Sequence, residues 1–315
     1  MIPFPHALLV LLVILTAGLL PANVGADADP CAQHRAAAPR LADTSLDPAV
    51  RHAKGLLWKV ERPGTAPSHI FGTIHLDDPR VTNVPSTVLR PLAEAKNYLG
   101  EVVLDPRSTA YYTQSMYFGG QRNLRDVLDE AFFAETIRQL VEHGIPRGAA
   151  ERLKPWAAFT ILGRPRPRGG QTLDVLLQDT ADLQRIPIHG LETIEELVAT
   201  LDGIPMSDQI AILKDTVCNR SLIDAETAEL TARYLDRDLA AMLAISRRYD
   251  PDDQAQYEAF MKRLLTDRNK RMLERMEPYL AAGGAFIAVG ALHLPGDDGL
   301  LELLEARGYR VSPVY

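Results

Sequence analysis

The sequence predicts an α/β fold: a single domain with a central, mostly parallel or mixed β-sheet, flanked by helices and carrying a helical insertion in the middle. Three observations carry this expectation. Strand-like segments lie near both ends, helical periodicities fill the interval, and no linker divides the 315 residues. The composition agrees, with 46% hydrophobic and 24% charged residues and ordinary Gly and Pro counts of 21 and 22. Such a chain buries a sizeable core. Its net charge of −7 and the lack of any sustained Lys or Arg run repel phosphate backbones, so nucleic-acid partners are not expected.

Residues 7 to 20 form one apolar block followed by the small-residue stretch Ala22 to Ala26, the pattern of a cleaved export leader spanning residues 1–26. A bilayer needs about 20 apolar residues and no second block exists, so stable membrane insertion is not expected after cleavage. A periplasmic or secreted protein follows. In an oxidising compartment the two cysteines, Cys31 and Cys218, make at most one bridge; the alternative is two buried thiols. Residues 27–55 read as an N-terminal arm and 56–315 as the α/β domain.

Leu56 to Val60 and His69 to Ile74 are strand-like and joined by turn-forming Arg62-Pro63-Gly64 and Ala66-Pro67-Ser68, which predicts a hairpin ending at His75. Ser86 is expected to cap a helix to about Lys96, and Tyr98 to Leu104 to form a strand closed by Asp105-Pro106. From Asp129 to His143, Phe132, Phe133, Ile137, Leu140 and Val141 fall on one helical face, and Gly144 stops it. Helices over 147–162 and 172–184 flank residues 163–170, where alternating Pro forbids a helix. The three Arg of that loop are either solvated or form a basic lid for an anionic substrate. Ile186 to Leu191 is a short strand, followed by helices near 193–201, 206–218 and 222–248. In the last of these Leu235, Leu239, Met242 and Leu243 mark one buried face. A helix over 253–277, a strand from Ala285 to Val289, a helix near 298–307 and a strand from Arg310 to Val314 complete the chain.

No HExxH, GxSxG, CxxC, Gly-rich phosphate loop or dinucleotide fingerprint occurs. What recurs is a tag, Gly72-Thr73-Ile74-His75-Leu76 and Gly290-Ala291-Leu292-His293-Leu294, each closing an apolar strand and each followed by two aspartates. Gly permits close backbone approach or a sharp turn, and the carboxyl ends of strands are where α/β sheets bind ligands. A lone strand-end His is more often a hydrogen-bonded structural residue; two in matching contexts point to function. Two imidazoles and a carboxylate would suit Mn, Fe, Co or Zn. Glu101 is the leading carboxylate, because a charge inside the apolar stretch Tyr98 to Leu104 needs a partner if buried. The alternative is that Glu101 faces outward.

Taken in order, Phe71-Gly72-Thr73-Ile74-His75, Glu101, Leu153-Lys154-Pro155-Trp156, Gly190-Leu191-Glu192-Thr193, Asp267-Arg268-Asn269 with Met272, and Val289-Gly290-Ala291-Leu292-His293-Leu294 resemble the TraB/PrgY/GumN family. That family includes the Tiki proteases that act on Wnt proteins. The resemblance covers Leu57 to Val314 and is nearest the exported GumN-like branch. It implies a sheet flanked by helices, similar to erythromycin esterase and ChaN-like proteins. It further implies a metal-dependent peptidase or related hydrolase using His75, His293 and Glu101. Arg268 and Asn269 match a polar pair of the family, with roles in orienting Glu101 or holding an oxyanion; a helix-surface ion pair is the alternative. Glu192 is a ligand, an outer-shell acceptor or a helix cap.

The expected chemistry is metal-assisted hydrolysis of a peptide or small-molecule substrate, with a divalent ion (Mn, Co or Zn) on His75, His293 and Glu101 and with Arg268 stabilising the anionic intermediate. Three alternatives use the same residues differently. One is a metal-free esterase-like hydrolase with a His/Glu acid-base pair; another is a non-catalytic periplasmic protein binding metal, haem or a small ligand; the last is a structural factor in which both histidines are dispensable.

Overall fold

The computed structural model describes residues 29–32, 50–247 and 254–315. The expected leader, residues 1–26, and most of the expected arm lie outside them. Chain order runs β1 (Leu57–Glu61), β2 (Ser68–Thr73), α1 (Pro79–Thr82), α2 (Ser86–Ala93), β3 (Asn97–Val102) and α3 (Pro106–Ser115). The middle comprises α4 (Glu130–Glu142), α5 (Arg147–Ala150), α6 (Pro155–Leu162), α7 (Leu173–Leu183), β4 (Ile188–Glu192), α8 (Ile194–Asp202) and α9 (Met206–Cys218). It ends with α10 (Arg220–Leu235), α11 (Leu239–Ser246), α12 (Gln254–Met261), a π-helical segment (Lys262–Thr266), α13 (Asp267–Ala282), β5 (Ala285–Gly290), α14 (Leu300–Ala306) and β6 (Arg310–Pro313).

The strands form one mixed sheet in the order β4-β3-β5-β2-β1-β6. β2, β5, β3 and β4 run parallel, whereas β1 and β6 are antiparallel to their neighbours. The predicted α/β sheet with a helical middle is what forms. β5 lies at the centre and is buried along Ala285 to Val289, which explains its unbroken apolar run: a parallel strand is covered on both faces. Register then levels the functional ends. Thr73 pairs with Gly290, Gly100 with Ala288 and Val102 with Glu192, so four carboxyl ends stand side by side.

Two apolar clusters support this frame. One packs the sheet against α2, α7, α10, α11, α13 and α14. The other is the core of the helical insertion, built on Phe132, Phe133, Trp156, Phe159 and Ile212 among others. Cys31 and Cys218 belong to it, joined by a disulfide that resolves the two readings of the cysteines in favour of the bridge. Among the described residues no helix is long and apolar enough to cross a membrane.

Several local expectations are corrected. Ser86 is the first helical residue and not the cap, which is Pro85, and the helix stops at Ala93. Asp105-Pro106 does more than close a strand: Asp105 accepts from the Ser108 N–H in a capping box and Pro106 opens α3, a helix the apolar pattern had hidden. Val141 is 45% exposed, because the buried face of α4 instead uses Thr136 and Gln139 beside Phe132, Phe133, Ile137 and Leu140. The predicted 147–162 helix breaks at Leu153-Lys154, where Leu153 bridges to Tyr117 and Pro155 starts a new helix. The 222–248 helix also breaks: Arg237 adopts φ 58° and Asp238 caps α11, so Leu235 lies on a different helix from Leu239, Met242 and Leu243.

The disulfide spans a sequence separation of 187 residues. Chain-entropy reasoning gives a contribution of about 5 kcal/mol, with typical measured values of about 2–5 kcal/mol. Cys31→Ser/Cys218→Ser is expected to lower the unfolding free energy in urea by an amount in that range without altering far-UV circular dichroism; an unchanged midpoint would contradict it.

Candidate active site

His75 stands two residues beyond β2. Its Nδ1–H donates to Asp174 Oδ2 at 2.5 Å, and Asp174 also accepts from Thr73 Oγ1 at 2.5 Å. With Nδ1 so engaged, Nε2 carries the lone pair and faces inward. Asp174 sits in the first turn of α7 and was not anticipated. Its sequence position has a sufficient structural explanation, an acid favoured near a helix N-terminus, which is why pattern reading passes over it.

His293 lies in a short 3-10 turn after β5 and is 4% exposed. Asn269 fixes its tautomer. The amide Nδ2 donates to two carbonyls, those of His293 at 3.3 Å and Asp298 at 2.7 Å, so Oδ1 must be the acceptor for His293 Nδ1–H at 2.6 Å. Nε2 of His293 is again the unprotonated nitrogen, with Arg268 Nη1 3.3 Å from it. Burial lowers the imidazole pKa to about 3, helped by the Arg268 cation, so the ring is neutral.

The tag glycines are small for want of space, since neither has a positive φ. A Cβ on Gly72 would lie 2.8 Å from Leu294 Cδ1 and 3.1 Å from the Ala291 backbone. Tyr234 holds the same turn, its hydroxyl donating to Gly72 O at 2.9 Å. A Cβ on Gly290 would lie 3.2 Å from Glu101 Oε1, 3.6 Å from His293 Cδ2 and 3.6 Å from His75 Nε2. Gly290 is therefore the floor on which the three predicted ligands meet.

Glu101 is 8% exposed, which excludes the outward-facing alternative. Oε1 accepts the Gly290 N–H at 2.6 Å and lies 3.8 Å from His293 Nε2; Oε2 accepts from Arg268 Nη2 at 2.6 Å. Burial pushes the carboxyl pKa up, but the Arg268 guanidinium, His293, His75 and the Gly290 N–H together outweigh it and hold Glu101 well below the usual carboxylate range. Arg268 is itself buried, so it is no surface ion pair: Nε donates to Glu192 Oε2 at 2.7 Å and Nη1 approaches His293 Nε2 at 3.3 Å. Glu192, 2% exposed, also binds Arg271. It is an outer acceptor, and the cap of α8 is Thr193 in a capping box with Glu196.

A narrow cavity of about 70 Å³ opens over these groups. Its polar floor comprises His75, Glu101, Arg268 and His293, and its walls include Leu230, Met242, Met261, Leu264 and Leu265. The last three come from the junction of α12 with the π segment, a local widening frequently found at functional sites. The 163–170 loop is fastened beside the first tag, with Asp77 Oδ2 accepting the N–H of Arg168 at 2.6 Å and of Gly170 at 3.3 Å. Arg166 and Arg168 are exposed, while Nε and Nη2 of Arg164 are buried.

Two unprotonated Nε2 atoms and a carboxylate suit a divalent transition metal. Each imidazole has the outer hydrogen bond, to Asp174 or Asn269, that metal-ligating histidines show. The fit is chemical more than closed: the donor atoms of His75, Glu101 and His293 do not all fall within 4.8 Å of one another, so holding one ion requires a small side-chain adjustment.

Two outcomes are expected of the metal-free protein. Arg268→Met strands the buried carboxylate of Glu101, removes one of the two Arg partners of Glu192 and should cost about 3–5 kcal/mol in urea unfolding. A loss under about 1 kcal/mol would show that they do not depend on it. For His293, the unfolded chain takes up a proton near pH 6.5 and the folded chain only near pH 3. The unfolded state thus binds more protons in that window, and stability rises with pH across it. His293→Gln should flatten the rise between pH 4 and 7, and an identical slope would contradict the neutral ring.

The profile of the TraB/PrgY/gumN family matches residues 56–313. Metalloprotease TIKI1 of Homo sapiens is 24% identical, the match covering 89% of this chain and 66% of that protein. Metalloprotease TIKI2 of Danio rerio is 24% identical over 81% of this chain and 60% of its own length. Uncharacterized protein YbaP of Shigella flexneri is 25% identical over 77% of this chain and 89% of its own. The chain thus spans just under two thirds of the Tiki proteins it matches. No solved structure matches significantly. The buried His, Glu and Arg set at the carboxyl edge of the sheet and the family profile over residues 56–313 lead to one statement: the chain belongs to the TraB/PrgY/gumN family.

Proposed function

We propose that this protein is a metal-dependent hydrolase, most specifically a peptidase, that works in an oxidising compartment outside the cytoplasm. The observation that carries the reading is the pair of imidazoles whose Nδ1–H groups are held by oxygen atoms and whose rings gather over Gly290 beside Glu101, with His293 Nε2 3.8 Å from Glu101 Oε1. The printed names of the Tiki relatives, metalloproteases, support the same class. The Cys31–Cys218 bridge supports export, as such bonds persist where thiols are oxidised.

His75, His293 and Glu101 would hold the divalent ion, Mn, Co or Zn. When bound, such an ion lowers the pKa of water and polarises a substrate carbonyl. The chain's own residues do the rest. Asp174 and Asn269 keep both rings in the ligating tautomer. Glu101, held well below the usual carboxylate range, is a poor proton acceptor and a good ligand. The permanently charged Arg268, braced by Glu192, places Nη1 at the cavity floor where a tetrahedral oxyanion would develop. Met242, Met261, Leu264 and Leu265 exclude water above it and suit an apolar substrate side chain next to the scissile bond.

One observation favours a second reading. The 2.5 Å His75–Asp174 contact also resembles an oriented general base, and it pairs His75 with Asp174 where the sequence pointed to Glu101. Metal-free ester hydrolysis would use it.

Metal titration calorimetry and peptide and ester turnover, on wild type and His75→Ala/His293→Ala, separate the two. Turnover and metal affinity at the strand-end site are expected to vanish in the double variant, and a chelator should abolish wild-type turnover until Mn, Co or Zn is returned. Asp174→Asn should weaken metal binding about 10–100-fold. Turnover that persists in chelator, with no metal bound, would sink the metallohydrolase and leave the esterase.

A further inference from the structure

A second set of metal-type donors lies away from the cavity. His52, in the segment leading to β1, faces Glu302 and Glu305 of α14, and their donor atoms all lie within 4.8 Å of one another. None of the three lines the cavity at the strand ends. Among the described residues this is the one His and carboxylate trio so tightly grouped.

Its polar atoms are incompletely satisfied. His52 Nε2 and Glu302 Oε1 are both buried without a hydrogen-bond partner, and the His52 side chain is only 11% exposed. Nε2 lies 3.4 Å from Glu305 Oε2 and 3.8 Å from Glu302 Oε1. These separations are longer than an N–H···O hydrogen bond, which runs about 2.7–3.2 Å. The shorter matches the edge of a tetrahedron around zinc, where bonds of about 2.0–2.2 Å put neighbouring ligand atoms about 3.3–3.6 Å apart, and the longer would close by a few tenths of an ångström to join it.

The surroundings hold these donors in place. His52 adopts φ 57°, a left-handed conformation uncommon outside glycine, and its ring packs edge-on against Trp58 at 5.1 Å between centroids. Glu302 and Glu305 are three apart on one helix, hence on one face. Arg51 donates Nη1 to Glu302 Oε2 at 2.8 Å and Nη2 to Glu305 Oε2, the oxygen that also faces His52 Nε2, while Glu302 Oε1 stays turned to the imidazole. Outer hydrogen bonds of this kind orient ligating carboxylates.

We infer that His52, Glu302 and Glu305 form a second, structural site for a zinc-class divalent ion, which clasps the segment entering β1 to the last helix. A fourth position is open to water or an exogenous ligand.

The test uses the full, disulfide-bonded chain carrying His75→Ala/His293→Ala, so that the strand-end histidines contribute nothing. Zn(II) is titrated by calorimetry, thermal unfolding is followed with and without Zn(II), and Cu(II) quenching of tryptophan fluorescence reads proximity to Trp58. The same measurements are made after adding His52→Asn, which keeps a residue tolerant of positive φ, or separately Glu302→Gln/Glu305→Gln. One Zn(II) per chain, a rise in melting temperature with the ion, and a loss of affinity of more than about tenfold in both added variants are expected. Absence of binding, or equal binding in parent and added variants, would overturn the inference and leave the trio as an ion pair of protonated His52. Neither result bears on the hydrolase reading, because that site is already disabled in the parent.

Discussion

Much of this structure depends on one buried cation. Arg268 reaches from α13 into the ends of two strands and binds Glu101 on β3 and Glu192 on β4. Glu101 could not remain charged at so little exposure without it, because burial of an unpaired charge costs several kcal/mol; Glu192 has Arg271 as a second partner. The sheet edge and the helix are therefore joined by charge as well as by apolar packing. The pairing also fixes where the negative oxygens lie, one against Arg268 and one on the Gly290 N–H. The Arg268 cation that helps keep Glu101 ionised also adds to the burial that keeps His293 neutral.

The two tags look alike in sequence and are unlike in space. His75 is backed by an ionised acid contributed by α7, His293 by an uncharged amide contributed by α13. A carboxylate partner makes an imidazole more basic than an amide does, so the pair presents one strong and one weak nitrogen donor. Their glycines differ as well, one packed against Leu294 and Ala291, the other forming the floor under three side chains. Sequence duplication here marks a shared position at the sheet edge, and the chemistry diverges from there.

How much of this was legible follows from range. Strand ends, the apolar run of β5 and an acid inside an apolar stretch are local signals, and they located His75, His293 and Glu101. Burial of Arg268 and Asn269 was visible only through resemblance, since Asp267-Arg268-Asn269-Lys270 reads as helix surface. Asp174 gave no signal because its contact with His75 spans 99 residues, and its local role satisfies any pattern rule. The two helix breaks were lost because periodicity survives a short interruption, whereas the break at Arg237 is a single backbone conformation.

The π segment between α12 and α13 sets the residue count of this region. An α-helix advances about 100° per residue, and the wider π turn fits one more residue into a single turn, so if Lys262–Thr266 wound as ordinary α-helix with every residue kept, everything beyond it would swing relative to α12. Met261 would keep its place in the wall while Arg268 turned off the floor, or the reverse. Helix width here behaves as a phase setting, and rewinding this one turn would uncouple the apolar wall from the charged floor while leaving every side chain of both intact.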